Sequence, residues 1–516
     1  MQRRRIIFAI PAALAFANMR SMSATLQTRG AQRYSYAGLV EEASKLAAAD
    51  YAPPPTLAGD VIQRIDYEAH AKIRYNPDRA LFLHGPGACP ITFFHLGRLF
   101  PTPVRMFVVQ DGQASEIVYD STAFDMPLHS PARKLPSDAG FAGFRVQGSR
   151  LAGPGTPDWR DNEWIAFLGA SYFRTVGELN QYGISARGVA VNTAVAGHSE
   201  EFPAFTRFYF ETPKRDDSDL TICALLEGPS IAGAYRFRLR RERAILVDVE
   251  AALFLRTDVE RLGLAPLTSM YSYSETTKPT AIDWRPEVHD SDGLALWNGG
   301  GERIWRPLIN PPQTTVSAFL DKVPKGYGLL QRDRNFDHYL DGVYFERRPS
   351  VWVEPLESWG SGAVQLVEIP TEVETNDNIV AMWVPRDPAR AGANYRLRYR
   401  LIWAAEEPAP ALARCTATRL GRGGQSAGAI STRFVVEFLG GLLTQLPDGL
   451  VPDASVGLSR GKVIYQEVEA MPNGVRGSWR VYFDVAARPG DPIELRVYLF
   501  SGERQLTETW LYRLNL

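Results

Sequence analysis

Two neighbouring stretches decide the fold class: AYRFRLR at residues 234–240 and AILVDVEAALF at residues 244–254. Apolar and basic residues alternate in the first stretch, and the second is apolar apart from two acidic positions. Such alternation is typical of half-buried β-strands, and short apolar runs are typical of fully buried ones. Clusters of Gly, Pro, Asp and Asn separate these runs from others like them, as antiparallel strands require. The other runs cover residues 104–110, 205–211 and 395–403. We therefore expect a mainly β protein.

The composition of the whole chain supports this class. The 516 residues are 45% apolar, which excludes a disordered chain and a miniature disulfide-stapled fold. Many turn formers (43 Gly and 36 Pro) and 11% aromatic residues suit an all-β protein. The 57 basic and 58 acidic residues nearly cancel, so charge gives no reason to expect a nucleic-acid partner or an anionic membrane.

The cysteines and histidines predict neither a metal site nor a cofactor. Cys89, Cys223 and Cys415 are far apart and form no C-x-x-C motif, so a disulfide framework and a zinc site are not encoded. The seven histidines never occur at metal-ligand spacing. We expect isolated buried thiols, no metal and no cofactor.

The first residues resemble an export signal. Three arginines at 3–5 precede an apolar run at 6–17 that ends in Ala-Phe-Ala. Twelve residues are too few to cross a bilayer, which takes about 20. The paired arginines favour the twin-arginine route, so residues 1–32 are predicted to be a signal peptide and leader. We expect a mature protein in the periplasm without a transmembrane segment; a frayed basic terminus is the alternative.

Two segments suggest helices. Residues 36–47 have apolar side chains at helical spacing, and the prolines at 53–55 end that pattern. Residues 170–182 read as a helix-like interruption among strands and precede Gly183.

The segment EEPAP at 406–410 is the best candidate for a domain boundary. It divides a large β-sandwich at 33–405 from a second region at 411–516. Turn signals every 8–15 positions in the second region predict an immunoglobulin-like sandwich. Its expected strands are residues 432–438, 462–469, 478–486, 493–500 and 507–514.

The middle of the chain, residues 159–385, is crowded with Trp, Tyr, Arg, Asp and Glu beside Gly and Pro. Sugar rings offer apolar C–H faces to Trp and Tyr, and their hydroxyls bond to Asp, Glu, Asn and Arg. Loops of this composition on a β scaffold predict a carbohydrate site. Composition alone does not separate an enzyme from a lectin.

The first candidate segment is WRPEVHDSDG at residues 284–293. In an extended conformation Asp290 and Asp292 would share one face and His289 would take the other. Two acids on one face repel each other, which tends to raise the pKa of one. Calcium is a rival use, but the loop lacks the further ligands at the required positions. A simple Asp-Ser-Asp-Gly turn is the alternative.

The second candidate segment is EIPTEVETNDNIV at residues 368–380. The turn formers at 375–378 break two apolar strands. Glu374 and Asp377 would face opposite ways in a flat strand, but a turn could bring both to one strand end. A general acid would sit at such a loop mouth; a solvated charged hairpin is the alternative.

The third candidate segment is PKGYGLLQRDR at residues 324–334, followed by Tyr339, Asp341 and Tyr344. It could form a ring platform flanked by guanidinium–carboxylate pairs, or a structural salt-bridge loop. Across all three segments a pair of carboxylates is the best-supported chemistry, and glycosidic hydrolysis or transfer is a common use of such a pair.

These segments resemble the family of periplasmic glucans biosynthesis proteins G and D. The resemblance runs from about Tyr34 to the C-terminus, and the twin-arginine signal makes the D branch more similar. The motifs that carry it are FLGASYFR at 167–174, QYGISARG at 181–188, RPEVHDSDG at 285–293, IWRPL at 304–308, GLLQRDR at 328–334, RPSVWVEP at 348–355 and DNIV at 377–380.

The resemblance implies a large N-terminal β-sandwich with a groove and a C-terminal immunoglobulin-like domain. It also implies a role in making or trimming osmoregulated periplasmic glucans, whose backbone is β-1,2-linked glucose. Members of the family include inverting endo-β-1,2-glucanases, and some related members transfer rather than hydrolyse. The expected partners are β-1,2-glucan and a membrane glucan synthase.

Site residues are carried over from the same resemblance. It implies that Asp377 is the general acid, held protonated by Glu374 and partial burial, and that Asp290 rather than Asp292 lies on the base side. Inversion would place the two carboxyls roughly 6.5–9.5 Å apart, or further with a water relay. The supporting residues would be Glu374, Tyr344, Arg347 and Asp292. The expected substrate-binding residues are Trp284, Arg285, His289, Trp305, Tyr327, Arg332, Asp333, Trp352 and Trp359.

Three classes of function remain from the sequence. One is an endo-acting β-1,2-glucan hydrolase or transglycosylase, and another is a non-catalytic glucan-binding scaffold beside a membrane synthase. The third is a purely structural periplasmic sandwich, which the many groove-type residues disfavour. Paired acids in turn segments favour the enzyme, because a lectin needs no acid that is protonated near neutral pH.

Overall fold

The computed structural model describes residues 26–54, 59–84, 87–153, 155–214, 219–278, 281–408, 411–424 and 431–516. Strands account for 47% of the chain and helices for 10%, which confirms the predicted mainly β class. Most of the predicted leader, residues 1–25, lies outside the described residues. Residues 28–32 of the predicted leader belong to the strand Thr28–Arg33. Among the described residues no helix is long and apolar enough to cross a membrane.

The described helices and strands are bounded as follows. The α-helices are α1 Tyr36–Ala47, α2 Gly59–Gln63 and α3 Tyr67–Ala71. The strands up to residue 255 are β1 Thr28–Arg33, β2 Arg74–Tyr75, β3 Ile91–Phe94, β4 Arg105–Gln110, β5 Gln113–Ile117, β6 Phe124–Asp125, β7 Gly143–Gln147, β8 Glu163–Leu168, β9 Tyr172–Thr175, β10 Ser185–Arg187, β11 Val189–Val191, β12 Ala204–Glu211, β13 Leu220–Glu227, β14 Ile231–Arg241 and β15 Ile245–Leu255. The later strands are β16 Leu262–Ser269, β17 Tyr271–Tyr273, β18 Val288–His289, β19 Gly293–Trp297, β20 Arg303–Pro307, β21 Thr315–Asp321, β22 Gly326–Leu330, β23 Ser350–Pro355, β24 Gly362–Glu368, β25 Ile379–Pro385, β26 Asn394–Ala404, β27 Arg414–Arg422, β28 Ser431–Leu439, β29 Asp453–Leu458, β30 Lys462–Ala470, β31 Ser478–Ala486, β32 Ile493–Ser501, β33 Arg504–Gln505 and β34 Thr509–Leu514.

Two large sheets face each other. The first has the order β1-β5-β4-β12-β13-β14-β15-β26-β23-β22-β19-β20-β34-β32-β29, with β33 beside β32. The second has the order β21-β24-β25-β16-β10-β9-β8-β7-β3, with β11 beside β16. Their facing side chains form one continuous apolar core. For example, the rings of Phe167 in β8 and Phe237 in β14 have centroids 5.2 Å apart.

The C-terminal strands form a second packed unit that is continuous with the first large sheet. Strands β27, β28, β31 and β30 make a separate four-stranded sheet. It packs through Phe434 and Phe483 against Trp510 of β34. Strand β34 also runs parallel to β20, with Trp510 beside Trp305, so the two parts share backbone hydrogen bonds.

The two predicted helices have different outcomes. The helix at 36–47 is confirmed as α1, and the hydroxyl of its N-cap Ser35 accepts a hydrogen bond from the Gly38 amide. The helix-like reading of 170–182 is wrong, because this segment holds the short strand β9 between turns. Gly169 and Ala170 have φ values of 79° and 43°, and this left-handed backbone does not continue into an α-helix.

Candidate functional site

The predicted acid and base segments lie on opposite sides of the end of β16. The Asn378 amide donates to the Ser269 carbonyl at 3.1 Å, and the Asp290 amide donates to the Met270 carbonyl at 2.8 Å. Because successive carbonyls of an extended chain point to opposite sides, residues 377–378 and 290 flank this segment. Two strand spacings put their backbones about 10 Å apart.

Asn378 fixes the backbone next to Asp377. It is buried, its Oδ1 accepts a hydrogen bond from the Tyr271 amide at 2.8 Å, and its Nδ2 donates to the Tyr271 carbonyl at 2.9 Å. The turn formers at 375–378 connect β24 to β25, as predicted. Asp377 therefore lies at the end of its loop, directly before a residue that two hydrogen bonds with Tyr271 hold in place.

The surroundings of the Asp377 carboxyl shift its pKa. The residue is open to solvent, yet surrounding protein is dense enough that burial raises its pKa. The positive charges of Arg174, Arg187 and Arg348 act in the opposite direction and lower it. The effect of burial is the larger one, so the pKa of Asp377 lies above that of an ordinary exposed aspartate.

Arg348 connects the two predicted catalytic aspartates. Its Nη1 donates to Asp290 Oδ1, and its charge also acts on Asp377. Burial and the neighbouring Arg174 lower the pKa of Arg348 to about 10. Both Arg348 and Asp290 are largely buried.

None of these three arginines is among the predicted site residues. Arg187 is buried and donates to Glu200 Oε1 at 2.9 Å, and Arg174 lies over the Tyr182 ring at 4.7 Å. The sequence does contain a sign of their role, because Arg174, Arg187 and Arg348 are basic residues inside three of the family motifs. Only the tertiary structure shows that they converge on Asp377.

Glu374 does not hold Asp377 protonated, and this expectation is corrected. Its Oε2 accepts a hydrogen bond from Arg285 Nη2 at 2.6 Å, so its charge is already paired. The rise in the pKa of Asp377 comes from burial.

Arg285 was expected to bind substrate, but its guanidinium is bonded to protein carboxylates. Nε donates to Asp283 Oδ1 at 3.1 Å, Nη1 to Asp341 Oδ2 at 2.7 Å, and Nη2 to Asp283 and Glu374. The hydrogen bonds of Arg285 lower the pKa of Asp283 to about 2. The expectation of sugar contact is therefore corrected, since Arg285 ties loops together.

Asp290 and Asp292 do not share a face. Asp292 Oδ1 lies 3.4 Å from His289 Nδ1, and its Oδ2 accepts from the backbone amides of Arg332 and Asp333. Bends at positions 290 and 292 follow the two-residue strand β18, so the alternation of an extended strand is lost. Only Asp290 faces Arg348, which makes Asp292 a structural support.

Five predicted sugar contacts are core residues instead. His289, Trp305, Tyr327, Arg332 and Trp352 are buried and have almost no surface to offer a ligand. The Tyr327 hydroxyl donates to the Ala265 carbonyl at 2.7 Å, and the guanidinium of Arg332 lies 3.7 Å from the centre of the Trp305 ring. These expectations are corrected, because strand pairing encloses the side chains.

Trp359 lies away from the acid loop. It precedes β24, whose residue Gly362 pairs with Pro385, whereas Glu368 at the other end pairs with Ile379 beside Asp377. The length of β24 separates the two ends by about 20 Å. Trp359 packs edge-on against Tyr399, so its expected sugar contact is corrected.

The remaining predicted residues lie on solvent-facing loops. Trp284 is exposed next to Arg285, and Tyr344 is exposed on the loop before Arg348. Arg347 lies over the Tyr344 ring at 4.5 Å. These rings and this guanidinium are open to a ligand.

One group of described side chains has metal-ligand character. Atoms of Glu287, Asp333 and His338 lie within 4.8 Å of one another. Asp333 already bonds to His338 and to the Asn335 amide, and Glu287 bonds to His289. These contacts satisfy the three residues without an ion.

Comparison with known proteins identifies relatives over almost the whole chain. A family model described as "Periplasmic glucan biosynthesis protein, MdoG" matches residues 34–514. Glucans biosynthesis protein D 2 of Ralstonia nicotianae is 56% identical over 487 residues, which cover 93% of this chain and 91% of that protein. Glucans biosynthesis protein D of Stenotrophomonas maltophilia is 45% identical over 531 aligned positions, which cover 99% and 97%.

Proposed function

Because this chain belongs to the MdoG family of periplasmic glucan biosynthesis proteins, we propose that it controls the length of a β-1,2-linked glucose backbone by inverting cleavage or transglycosylation. Asp377 is the general acid and Asp290 serves the base side. The observation that carries this proposal is the Asp377 carboxyl near Arg174, Arg187 and Arg348, whose pKa burial raises.

Asp377 has the properties that proton donation to a leaving oxygen requires. A raised pKa keeps the carboxyl protonated closer to neutral pH, as a general acid needs. Once the proton has left, the charges of Arg174, Arg187 and Arg348 stabilise the carboxylate. A proton taken up from solvent then restores the acid for the next turnover.

Asp290 is placed to act on the opposite side. Arg348 occupies its Oδ1, which leaves Oδ2 as the atom that accepts a proton from the attacking hydroxyl or water. Backbones about 10 Å apart allow the two carboxyls to reach the separation typical of inverting enzymes.

A non-catalytic scaffold beside a membrane glucan synthase is the second candidate. The ion pair between Arg348 and Asp290 favours it, because a binding protein has no need of a free base. Exposed Trp284 and Tyr344 would serve binding as well as they would serve catalysis.

Product analysis separates these two functions. Purified protein is incubated with linear β-1,2-glucan, and chain lengths are measured by chromatography. We expect shortened or rearranged chains from the wild type and at least a 100-fold slower reaction from Asp377→Asn. Glu372→Gln, an exposed carboxylate of the same loop, is the matched control and should react at the wild-type rate.

Each other result has a definite meaning. Unchanged glucan that nevertheless binds to wild type and Asp377→Asn alike would establish the scaffold. Cleavage that survives Asp377→Asn would reject Asp377 as the acid. If Asp377 is the acid, kcat/KM should fall as the pH rises through its pKa, because the acid works only when protonated.

We further propose that residues 1–32 direct export through the twin-arginine route. The family is described as periplasmic, and the arginines at 3–5 precede the apolar run. Changing Arg4 and Arg5 to Lys should leave the protein in the cytoplasmic fraction. Periplasmic recovery of that variant would reject the route.

A further inference from the structure

One guanidinium on the rim of the site binds carboxylates from three loops. Arg285 donates to Asp283 on its own loop, to Asp341 at 2.7 Å and to Glu374 at 2.6 Å. Arg285 is mostly buried, whereas Glu374 is half exposed. Lys278 supports the first loop, since its Nζ donates to the Asp283 carbonyl at 2.7 Å.

Each of the three loops carries a residue of the proposed site. Trp284 lies between Asp283 and Arg285, Tyr344 lies three residues after Asp341, and Asp377 lies three residues after Glu374. Without Arg285 the carboxylates of Asp283, Asp341 and Glu374 would repel one another across the rim.

Apolar packing holds these loops only in part, because Tyr339 and Phe345 are buried in a small cluster whereas the loop tips are exposed. Trp284, Val343 and Val373 are 69%, 45% and 50% exposed. Leu340 and Tyr344 also have φ values of 59° and 56°, a left-handed backbone that bulky residues adopt only when their surroundings impose it. The ion cluster is the contact that the exposed parts of all three loops share.

We propose that Arg285 is a positioning residue that ties the loops of Trp284, Tyr344 and Asp377 into one rim. The three loops hold their spacing as a unit, and the guanidinium is the shared contact. The catalytic consequence of this arrangement rests on the proposed function, whereas the structural consequence does not.

Hydrogen exchange measured by mass spectrometry tests the structural part. In Arg285→Gln, we expect amide exchange to rise at least tenfold in residues 335–345 and 371–377. Arg400→Gln is the matched control, because Arg400 binds Asp248 on the large sheet, with Nε 2.6 Å from Oδ1, away from these loops. Exchange in both loops should stay at the wild-type rate in that control.

Variants of single carboxylates test each loop separately. They also provide the test if Arg285→Gln does not fold. Asp341→Asn should speed exchange in 335–345 alone, and Glu374→Gln should speed exchange in 371–377 alone. Unchanged exchange in every variant would overturn the proposal.

Kinetics distinguish this inference from the proposed function. If the wild type cleaves glucan, Arg285→Gln should lower kcat at least tenfold, and Arg285→Lys should recover only part of the loss, because an ammonium cannot reproduce the guanidinium fork. If Arg285→Gln exchanges faster but the wild type does not cleave glucan, the positioning role stands and the proposed enzymatic function is rejected. If Arg285→Gln keeps the wild-type kcat although amide exchange in the loops is faster, the catalytic consequence is rejected.

Discussion

His289 is a fully buried cation among carboxylates. Its Nε2 lies 2.9 Å from Glu287 Oε2, and its Nδ1 lies 3.4 Å from Asp292 Oδ1. Burial opposes the charge, but the hydrogen bond to Glu287 and the charge of Asp292 prevail and raise the pKa of His289 to about 9. Nearby, burial and the charge of Glu287 raise the pKa of Glu275 to about 7.

We expect stability to fall as the pH rises from about 6.5 to about 9. A histidine whose folded pKa exceeds its unfolded pKa binds more protons when folded. Its contribution is complete below the unfolded pKa of 6.5 and is lost as the pH rises through 9. The difference corresponds to ~3 kcal/mol.

Urea unfolding at pH 6 and pH 9 measures this loss. His289→Gln should be less stable than the wild type at pH 6 and should lose much less stability between the two pH values. His198→Gln, which changes an exposed histidine, should follow the wild type. An undiminished pH dependence in His289→Gln would contradict the assignment.

Strands β7, β8 and β9 hold the second sheet to the first through stacked phenylalanines. Phe167 stacks on Phe144 at 4.8 Å and on Phe173 at 4.9 Å between ring centroids. Its ring also meets Phe208 and Phe237 of the first sheet edge-on at 5.5 Å and 5.2 Å. Phe167 thus lies at the contact between the two sheets.

Phe167→Ala should destabilise the protein by about 3–5 kcal/mol, because it leaves a cavity among rings that cannot collapse into it. Denaturant unfolding provides the measurement. Leu320→Ala, which removes an exposed side chain from edge strand β21, should change stability by no more than ~0.5 kcal/mol. If Phe167→Ala changes stability as little as Leu320→Ala does, this ring cluster does not contribute to stability.

The two parts of the molecule are joined by a buried arginine. Arg332 donates to Glu508 Oε1 at 2.6 Å, to Glu407 Oε1 at 2.5 Å and to the Cys415 carbonyl at 3.0 Å. Glu508 also accepts from the Cys415 amide at 2.6 Å. Residues on both sides of the predicted boundary at 406–410 therefore meet at one guanidinium.

Arg332→Met should cost about 3–5 kcal/mol, since it removes the positive charge that faces two buried carboxylates. We expect the midpoint of thermal unfolding, measured by calorimetry, to be lower in Arg332→Met than in the wild type. Arg513→Met serves as the control, because Arg513 lies 3.8 Å from the exposed Glu494 and such pairs contribute at most about 1 kcal/mol. A wild-type midpoint in Arg332→Met would refute the role of this cluster in joining the two parts.

Local pattern was sufficient for the strands with the clearest alternation and for α1. The alternation at 234–240 and the apolar run at 244–254 became β14 and β15, and the helical spacing at 36–47 became α1. Side-chain periodicity and turn residues act between neighbours, so they can be read without the fold. The error at 170–182 arose because helical spacing there reflects burial in β9 and its turns.

The sequence by itself determined ten of the described strands, the turn at 375–378 and the two acidic segments of the candidate site. Only the tertiary structure decided that Asp290 and not Asp292 meets Arg348, that Arg285 binds protein carboxylates rather than sugar, and that Trp305 is buried beside β34. The physical reason is the distance along the chain over which these contacts act. Arg348 lies 58 residues from Asp290, and the partners of Arg285 lie 56 and 89 residues away. Such contacts depend on sheet order and register, which no local pattern of side chains contains.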